Sequence, residues 1–428
     1  MLMQKLMHWV ENSLAPKLNK VNHNIYISVL KESVMQILPF ILLGSLFCCF
    51  SILGGYIDNW PNFWVPFGWT MGKLGVFVAF LIPFNYCEKR RLRKQRLVAG
   101  LSGLVLFLIC VTPVVIEEGM AGFGSASLGA GGMFVAIVTG LITCFIFGAF
   151  GKFSFFKEDS QIPDFVRVWF DQLLPIGITV CIGWILVLLM QVDLYGMILA
   201  FFMPLQKGLN SWWGFILFNF ITVFIYSMGI SGWMTTPISE PVRLSSIAAN
   251  LSLIAAGTAS VASLNIYVKE VMFVAYMWAG GIGCTLPLVY LLFFSKAKKL
   301  KALGKACLVP SLFNINEPVV FGCIAWNPLL MVPMWLQGLV IPALTWLFLK
   351  VFAFAPFPTI QFELWWLPYP LGTWITTSGS IRALIFLAIS LTVSLMIWMP
   401  FFKVYEKQVM IEENENAEKE KEKLRKTA

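Results

Sequence analysis

Long uncharged runs, set apart by short polar or basic stretches, dominate the pattern of this chain. Residues 33–57, 97–116, 132–151, 172–192, 271–295 and 383–402 each supply about the 20 apolar residues that a bilayer-spanning helix requires. Residues 59–87 form another such run, with Lys73 near its outer end. Two further runs, 208–239 and 318–349, are each 32 residues without a charge, too long for one span. Each is interrupted, by GISGWMTTP in the first and WNPLLMVP in the second. Broken stretches of this kind suit a helix joined to a re-entrant segment, because non-helical backbone at membrane depth survives only where protein or a water-filled cavity satisfies it. The pattern predicts an all-α polytopic membrane protein of about ten transmembrane helices.

The first 24 residues follow a different rule. Leu2, Leu6, Trp9, Val10 and Leu14 recur at helical spacing between polar groups, with no long apolar core. Residues 1–24 therefore read as an amphipathic helix against membrane lipid on the inner leaflet, and not as a cleavable signal. Basic clusters set the orientation. Lys89, Arg90, Arg91, Arg93, Lys94 and Arg96 form one, and Lys296, Lys298, Lys299, Lys301 and Lys305 the other. Both lie between uncharged runs and mark the cytoplasmic side. The loops 55–66 and 117–131 then fall outside, and both termini of this plasma-membrane protein in the cytoplasm.

Composition narrows the class further. Hydrophobic residues make up 58% of the chain and charged residues 12%, where a soluble domain carries about 25% charged. Residues 403–428 hold seven acidic and seven basic side chains, a charged cytoplasmic tail that cancels, so the net charge of +9 belongs to the body. This excludes disordered, collagen-like and nucleic-acid-binding classes. The only histidines are His8 and His23, and no CxxC pair exists. No metal, no cofactor and no nucleophile paired with a base is expected.

The chain divides near residue 205. Residues 25–205 hold regular spans and clear loops. Residues 206–402 hold the broken runs and the charges expected at membrane depth: Glu240, Arg243, Lys269, Glu270, Glu317, Glu363 and Arg382. Such groups are rare in membranes and face a cavity or a partner, which makes the second half the working half. Its central motif is Asn314, Asn316, Glu317 and Pro318, inside ACLVPSLFNINEPVVFGCIAWNPLLMVPM (306–334). Pro318 bars a regular helix there. A carboxylate at such a break can accept hydrogen bonds from several sugar hydroxyls. On spacing alone, Glu317 could equally cap the helix that follows or pair with an Arg.

This segment resembles enzyme IIC, the sugar permease of the bacterial phosphotransferase system, in its lactose/cellobiose/diacetylchitobiose branch. The FNINEPVxFG…NPLL signature is close, and the resemblance continues through ILPFILLGSLF (37–47), MFVAIVTGL (133–141), IPDFV (162–166), YMWAGGIGCTL (276–286), KAKKLKALGK (296–305), SGSIRA (378–383) and PFFKVYEK (400–407). It implies a homodimer of ten-span chains. Residues 25–205 would be the scaffold and dimerisation half, and 206–402 the transport half with two re-entrant hairpins and the sugar site. It also implies that a bound disaccharide is phosphorylated by a partner B component, itself supplied by an A component upstream. Glu317 maps onto the sugar-contacting Glu, Trp278 onto the family Trp, and Arg382 onto the Ile-Arg position. Asn314 and Asn316 flank the site.

One departure stands out. The family's Gly-Ile-His-Gly segment, whose His contacts sugar, corresponds to Gly229, Ile230, Ser231 and Gly232. Imidazole donates, accepts and titrates near neutrality, whereas Ser231 offers one short-range hydroxyl. Glu240 and Arg243 also stand where the family has uncharged residues. These changes fit drift compensated by an ion pair, or an altered substrate, or a permease uncoupled from phosphorylation. Among the many Trp residues, Trp233 and Trp278 adjoin Gly-rich breaks and are candidates to stack on sugar. The leading expectation is a IIC disaccharide permease whose B component is a separate protein, with phosphoryl transfer performed by the partners. The alternative is an uncoupled sugar transporter or a sugar sensor on the same fold.

Overall fold

The computed structural model describes residues 24–53, 57, 59–117, 120–151, 153–156, 163–230 and 235–427. The amphipathic segment expected over 1–24, Asn24 excepted, and Ser231 and Trp233 lie outside the described residues. Among those described, the chain is helical apart from one antiparallel ribbon, Val114–Glu117 with Met120–Gly122. Among the described residues, five helices are long and apolar enough to cross a membrane: Trp64–Lys89, Ala130–Ala149, Asp164–Leu189, Pro328–Val351 and Ile381–Asn416. Leu194–Leu209 and Trp212–Ser227 make a sixth if taken as one broken span.

The uninterrupted span expected over 271–295 is not a single helix. A π-helical turn, Glu270–Ala275, gives way to irregular backbone, and a new helix begins only at Leu286–Phe293. Between them Gly280, Gly281, Gly283 and Cys284 take φ of 81°, 105°, 90° and 49°. Left-handed backbone ends a right-handed helix whatever the hydropathy of the side chains. The two long runs do break where their sequence is interrupted. Trp212–Ser227 stops before Gly229 (φ 74°), and the next helix is Thr236–Ala255. In the other run, a π-helical turn Val320–Ile324 is followed by Trp326 at φ 62° and then by Pro328–Trp346. Asn327 starts that helix by accepting the Leu329 N–H at 3.2 Å, with Pro328 in the first turn, where its missing N–H costs nothing.

The described residues pack as two compact units. The first comprises residues up to Lys207 together with 235–249. Its core is fully buried Val78, Ile82, Phe107, Val135, Cys144 and Phe147, on the helices Leu74–Lys89, Arg96–Val111 and Met133–Ala149. A Cβ on Gly103 would lie 2.6 Å from the Ala79 carbonyl oxygen, so two helices approach more closely there than any side chain allows, as is usual for packing in lipid. The buried amide of Asn85 donates to Ser33 Oγ at 3.0 Å and Gln36 Oε1 at 2.9 Å.

The second unit comprises 208–230 and 250–427. Its helix Pro328–Trp346 packs against Trp212–Ser227 and against the C-terminal helix Ile381–Thr427. Gln337 Nε2 donates to the Ser394 carbonyl at 2.9 Å. Trp398 Nε1 and Ser394 Oγ both donate to the Cys284 carbonyl, at 3.0 and 3.2 Å, tying the long helix to the glycine-rich break. Farther along it, Glu406 accepts from Ser295 Oγ and Lys296 N, and Glu413 from the Lys298 and Lys299 amides. These carboxylates close the start of Lys298–Leu312, the helix that leads to the Asn314–Pro318 turn.

Candidate functional site

The turn that follows Lys298–Leu312 is held by its asparagines. Asn314 adopts φ 60°, a left-handed conformation that Asn tolerates better than most residues. Its Oδ1 accepts the Gly280 N–H at 2.9 Å, and its Nδ2 donates to the Trp365 and Leu367 carbonyls at 2.7 and 2.9 Å. Asn316 is wired just as fully. Tyr226 Oη donates to its Oδ1 at 3.0 Å, while its Nδ2 donates to the Ile282 carbonyl at 2.8 Å and to Thr285 Oγ1 at 3.2 Å. A Cβ on Gly281 would sit 2.4 Å from Asn316 Cγ, so only glycine lets the hairpin backbone lie on this amide. Both asparagines are buried. Their polar atoms join the end of Trp212–Ser227, the 278–285 break and the 365–369 segment into one junction.

Glu317, between those asparagines and Pro318, is exposed. Among the described residues no hydrogen bond or ion pair reaches its carboxylate. It does not pair with an Arg, and the short helix Glu317–Val319 that it opens has no side-chain cap. The arrangement is an internally hydrogen-bonded turn that presents a carboxylate with no partner among the described residues. Such a group accepts hydrogen bonds from hydroxyls, and bonds to a charged acceptor are the stronger kind.

The other residues singled out from sequence fall in different surroundings. Trp278 is buried at 2% exposure; its backbone N–H donates to Tyr369 Oη at 2.6 Å, and that hydroxyl donates to the Met272 carbonyl at 2.7 Å. Its ring is spent on packing and offers no open face in this conformation. Arg382 is exposed and lines a cavity of about 480 Å³ with Ala353, Phe354, Pro356, Gly379, Ser380 and Ile381, none of them from the Asn314–Pro318 turn. Glu240 and Arg243 form a buried ion pair one turn apart on Thr236–Ala255.

Three aromatic residues that sequence reasoning did not put forward as sugar contacts, Trp326 having been read as interface or packing, gather at the end of Trp212–Ser227. Tyr226 packs edge-on to Phe321, with ring centroids 6.3 Å apart. A Cβ on Gly229 would stand 3.4 Å from Trp326 Nε1 and 3.9 Å from Phe321 Cε1, so these two rings flank the residue that opens the 229–232 break. Phe321 and Trp326 are 53% and 42% exposed. Trp326 also holds its left-handed φ at a cost of roughly 1–2 kcal/mol. The one signal available in sequence was the Trp326-Asn327-Pro328 turn, where the chain must leave one helix and start another.

Deeper in the same unit, Lys269 pairs with Glu363, both buried, and the adjacent Glu270 accepts the Phe362 N–H on Oε1 at 2.9 Å. This joins the start of the broken hairpin to the 361–369 segment that Asn314 also grips.

Comparisons with known proteins agree with this architecture. Residues 31–338 match the family described as phosphotransferase system, EIIC. The chain is 30% identical over 443 residues to the lactose-specific EIICB component of the phosphotransferase system from Staphylococcus haemolyticus, covering 97% of this chain and 73% of that protein. It is 28% identical over 438 residues to the oligo-beta-mannoside-specific EIIC component from Bacillus subtilis, covering 96% of each. Among solved structures it is similar to the transporter ChbC, the IIC component of the N,N'-diacetylchitobiose-specific phosphotransferase system, with a TM-score of 0.84 and 24% identity over 95% of this chain and 99% of that one.

Proposed function

The chain belongs to the phosphotransferase-system EIIC family, and on that premise we propose that it binds and translocates a disaccharide such as lactose, cellobiose or diacetylchitobiose for phosphorylation by a B component. The carrying observation is the turn in which Asn314 and Asn316 are fully engaged while Glu317 is left exposed and unpartnered. The asparagines fix the turn, and Glu317 accepts sugar hydroxyls. Phosphoryl transfer then belongs to the B component, which an A component recharges. The first half serves as scaffold and dimer contact, the second half moves, and the basic loops and both termini face the cytoplasm. The names of the relatives support the substrate class, since those proteins are described as specific for lactose, oligo-beta-mannoside and diacetylchitobiose.

Uptake of a labelled disaccharide panel into membrane vesicles, with and without phosphoenolpyruvate and the B and A components, tests this. Sugar phosphate accumulating only with the full phosphoryl chain is the expected result. Uptake of unmodified sugar under both conditions would instead establish a second reading, an uncoupled transporter, which Ser231 in place of the family His favours. The same assay on Ser231→His separates the two, because a restored imidazole should raise sugar phosphate formation if its absence is what altered coupling.

A further inference from the structure

The exposed face around Glu317 is aromatic as well as acidic. Phe321 lies four residues beyond Glu317, one turn along the same side, and both are exposed. Trp326 follows at the next break, with its indole N–H edge against Gly229. Among the described residues that N–H has no hydrogen-bond partner. A carboxylate with no partner among the described residues is too costly to hold against lipid tails, so the face that carries Glu317 opens onto a water-filled or protein-lined space; Phe321, one turn along, shares that face, and Trp326, also exposed, flanks Gly229 together with Phe321. Trp326 is further marked by its backbone. At φ 62° glycine would be the relaxed residue, and the fold instead presents a large ring there.

We infer that Phe321 and Trp326 are the stacking platform of a sugar subsite whose polar edge is Glu317. The ligand class is a pyranose with one unobstructed C–H face. That face lies on the aromatic rings, which present rigid apolar area at little entropic cost, while hydroxyls at the ring edge reach the carboxylate. Trp326 is a specificity-determining residue here, because its two-ring face offers a larger rigid apolar area than the single ring of Phe321. This assignment rests on the sugar-permease reading.

The test is sugar binding by the purified full-length chain in detergent, measured by calorimetry with lactose, cellobiose and N,N'-diacetylchitobiose in turn, and followed for the tightest. Trp326→Gly relieves the left-handed backbone while removing the platform, so its melting temperature should stay at or above the parent's while affinity falls about tenfold or more. Trp326→Phe keeps a smaller ring and should lose less affinity than Trp326→Gly. Phe321→Ala should lose affinity as well. Glu317→Gln serves as the control for the site itself. If Glu317→Gln weakens binding while Trp326→Gly and Phe321→Ala stay within twofold of the parent, the platform is refuted and the carboxylate site stands. If the parent binds none of the three sugars, the permease reading falls and the platform with it.

Discussion

Asn314 Oδ1 accepts the backbone N–H of Gly280 at 2.9 Å, across 34 residues of chain. The same side chain donates to two carbonyls in the 365–367 segment. Its amide thus has its acceptor turned to one partner and both donors to another segment, a division that only a carboxamide can make. The Asn314–Pro318 turn is therefore built around the amide as much as around the acid.

This wiring predicts that Asn314→Asp is more damaging than its size suggests. Aspartate keeps the acceptor for Gly280 N–H but points oxygen at the Trp365 and Leu367 carbonyls. Each buried group left unpaired costs about 1–3 kcal/mol. Thermal melting in detergent should show a lower midpoint for Asn314→Asp than for Asn314→Gly, which also loses the amide but relaxes the φ of 60°. Equal midpoints for parent and Asn314→Asp would show that the junction carries no stability.

Glu317→Gln isolates the charge of the exposed carboxylate. The amide retains shape and one acceptor oxygen, and no internal partner is lost, so folding should be unaffected. A hydrogen bond to a charged group contributes about 1.5–3 kcal/mol, or roughly 10- to 150-fold in affinity. Calorimetric sugar affinity within twofold of the parent would remove Glu317 from the site.

The helical class and the breaks in the runs 208–239 and 318–349 were legible because hydropathy and Gly/Pro interruptions coincide there. The glycine-rich stretch beside Trp278 was noted, yet 271–295 still read as one span, since Trp278-Ala279-Gly280-Gly281 carries no charge and hydropathy ignores backbone handedness. Glu317 stood out from its place beside Pro318. The aromatic neighbours did not, because a Trp in a membrane sequence reads first as interface or packing. Trp278 shows the converse: it adjoins a glycine break yet is buried, since its neighbours fold back over it through Tyr369. Which ring is exposed and which is buried is decided by φ at a few residues, information that composition does not hold.

Glu413 offers a pH-dependent contact outside the apolar run that ends at Phe402. The Lys299 and Lys298 amides at the start of Lys298–Leu312 hold its carboxyl below its ordinary value of 4.5, and an anion at a helix N-terminus is favoured. A depressed folded value means that the contact contributes above the unfolded value and fades as pH falls through the folded one. Hydrogen exchange at 298–301 should therefore be faster in Glu413→Ala than in the parent at about pH 7, with the difference closing as pH falls through the depressed folded value. An equal difference above and below that value would mean that the ionised carboxylate is not what caps this helix.

The buried pair Lys269–Glu363 makes the sharpest demand on folding. Lys269 precedes the π-helical turn Glu270–Ala275, and Glu363 lies in the segment whose Phe362 N–H is bound by Glu270. Both charges are buried, at 6% and 1% exposure. Removing one partner of a buried pair leaves the other uncompensated and typically costs about 3–5 kcal/mol, while replacing both with apolar or neutral residues of similar volume is often close to neutral. Lys269→Met alone would leave Glu363 beside Glu270, two carboxylates without the cation between the hairpin and the 361–369 segment. Glu363→Gln alone would strand the ammonium. Each single variant should reduce the yield of folded protein in detergent and lower its melting temperature, and the double variant Lys269→Met/Glu363→Gln should recover most of the loss. The measurement is a double-mutant cycle on thermal midpoints, with sugar affinity followed in parallel. Because the 361–369 segment also receives the Asn314 amide, the single variants should weaken sugar binding as well as stability, and the double should restore both together. Additive losses in the double variant would mean that the two charges act through separate partners and do not jointly hold this segment against the hairpin.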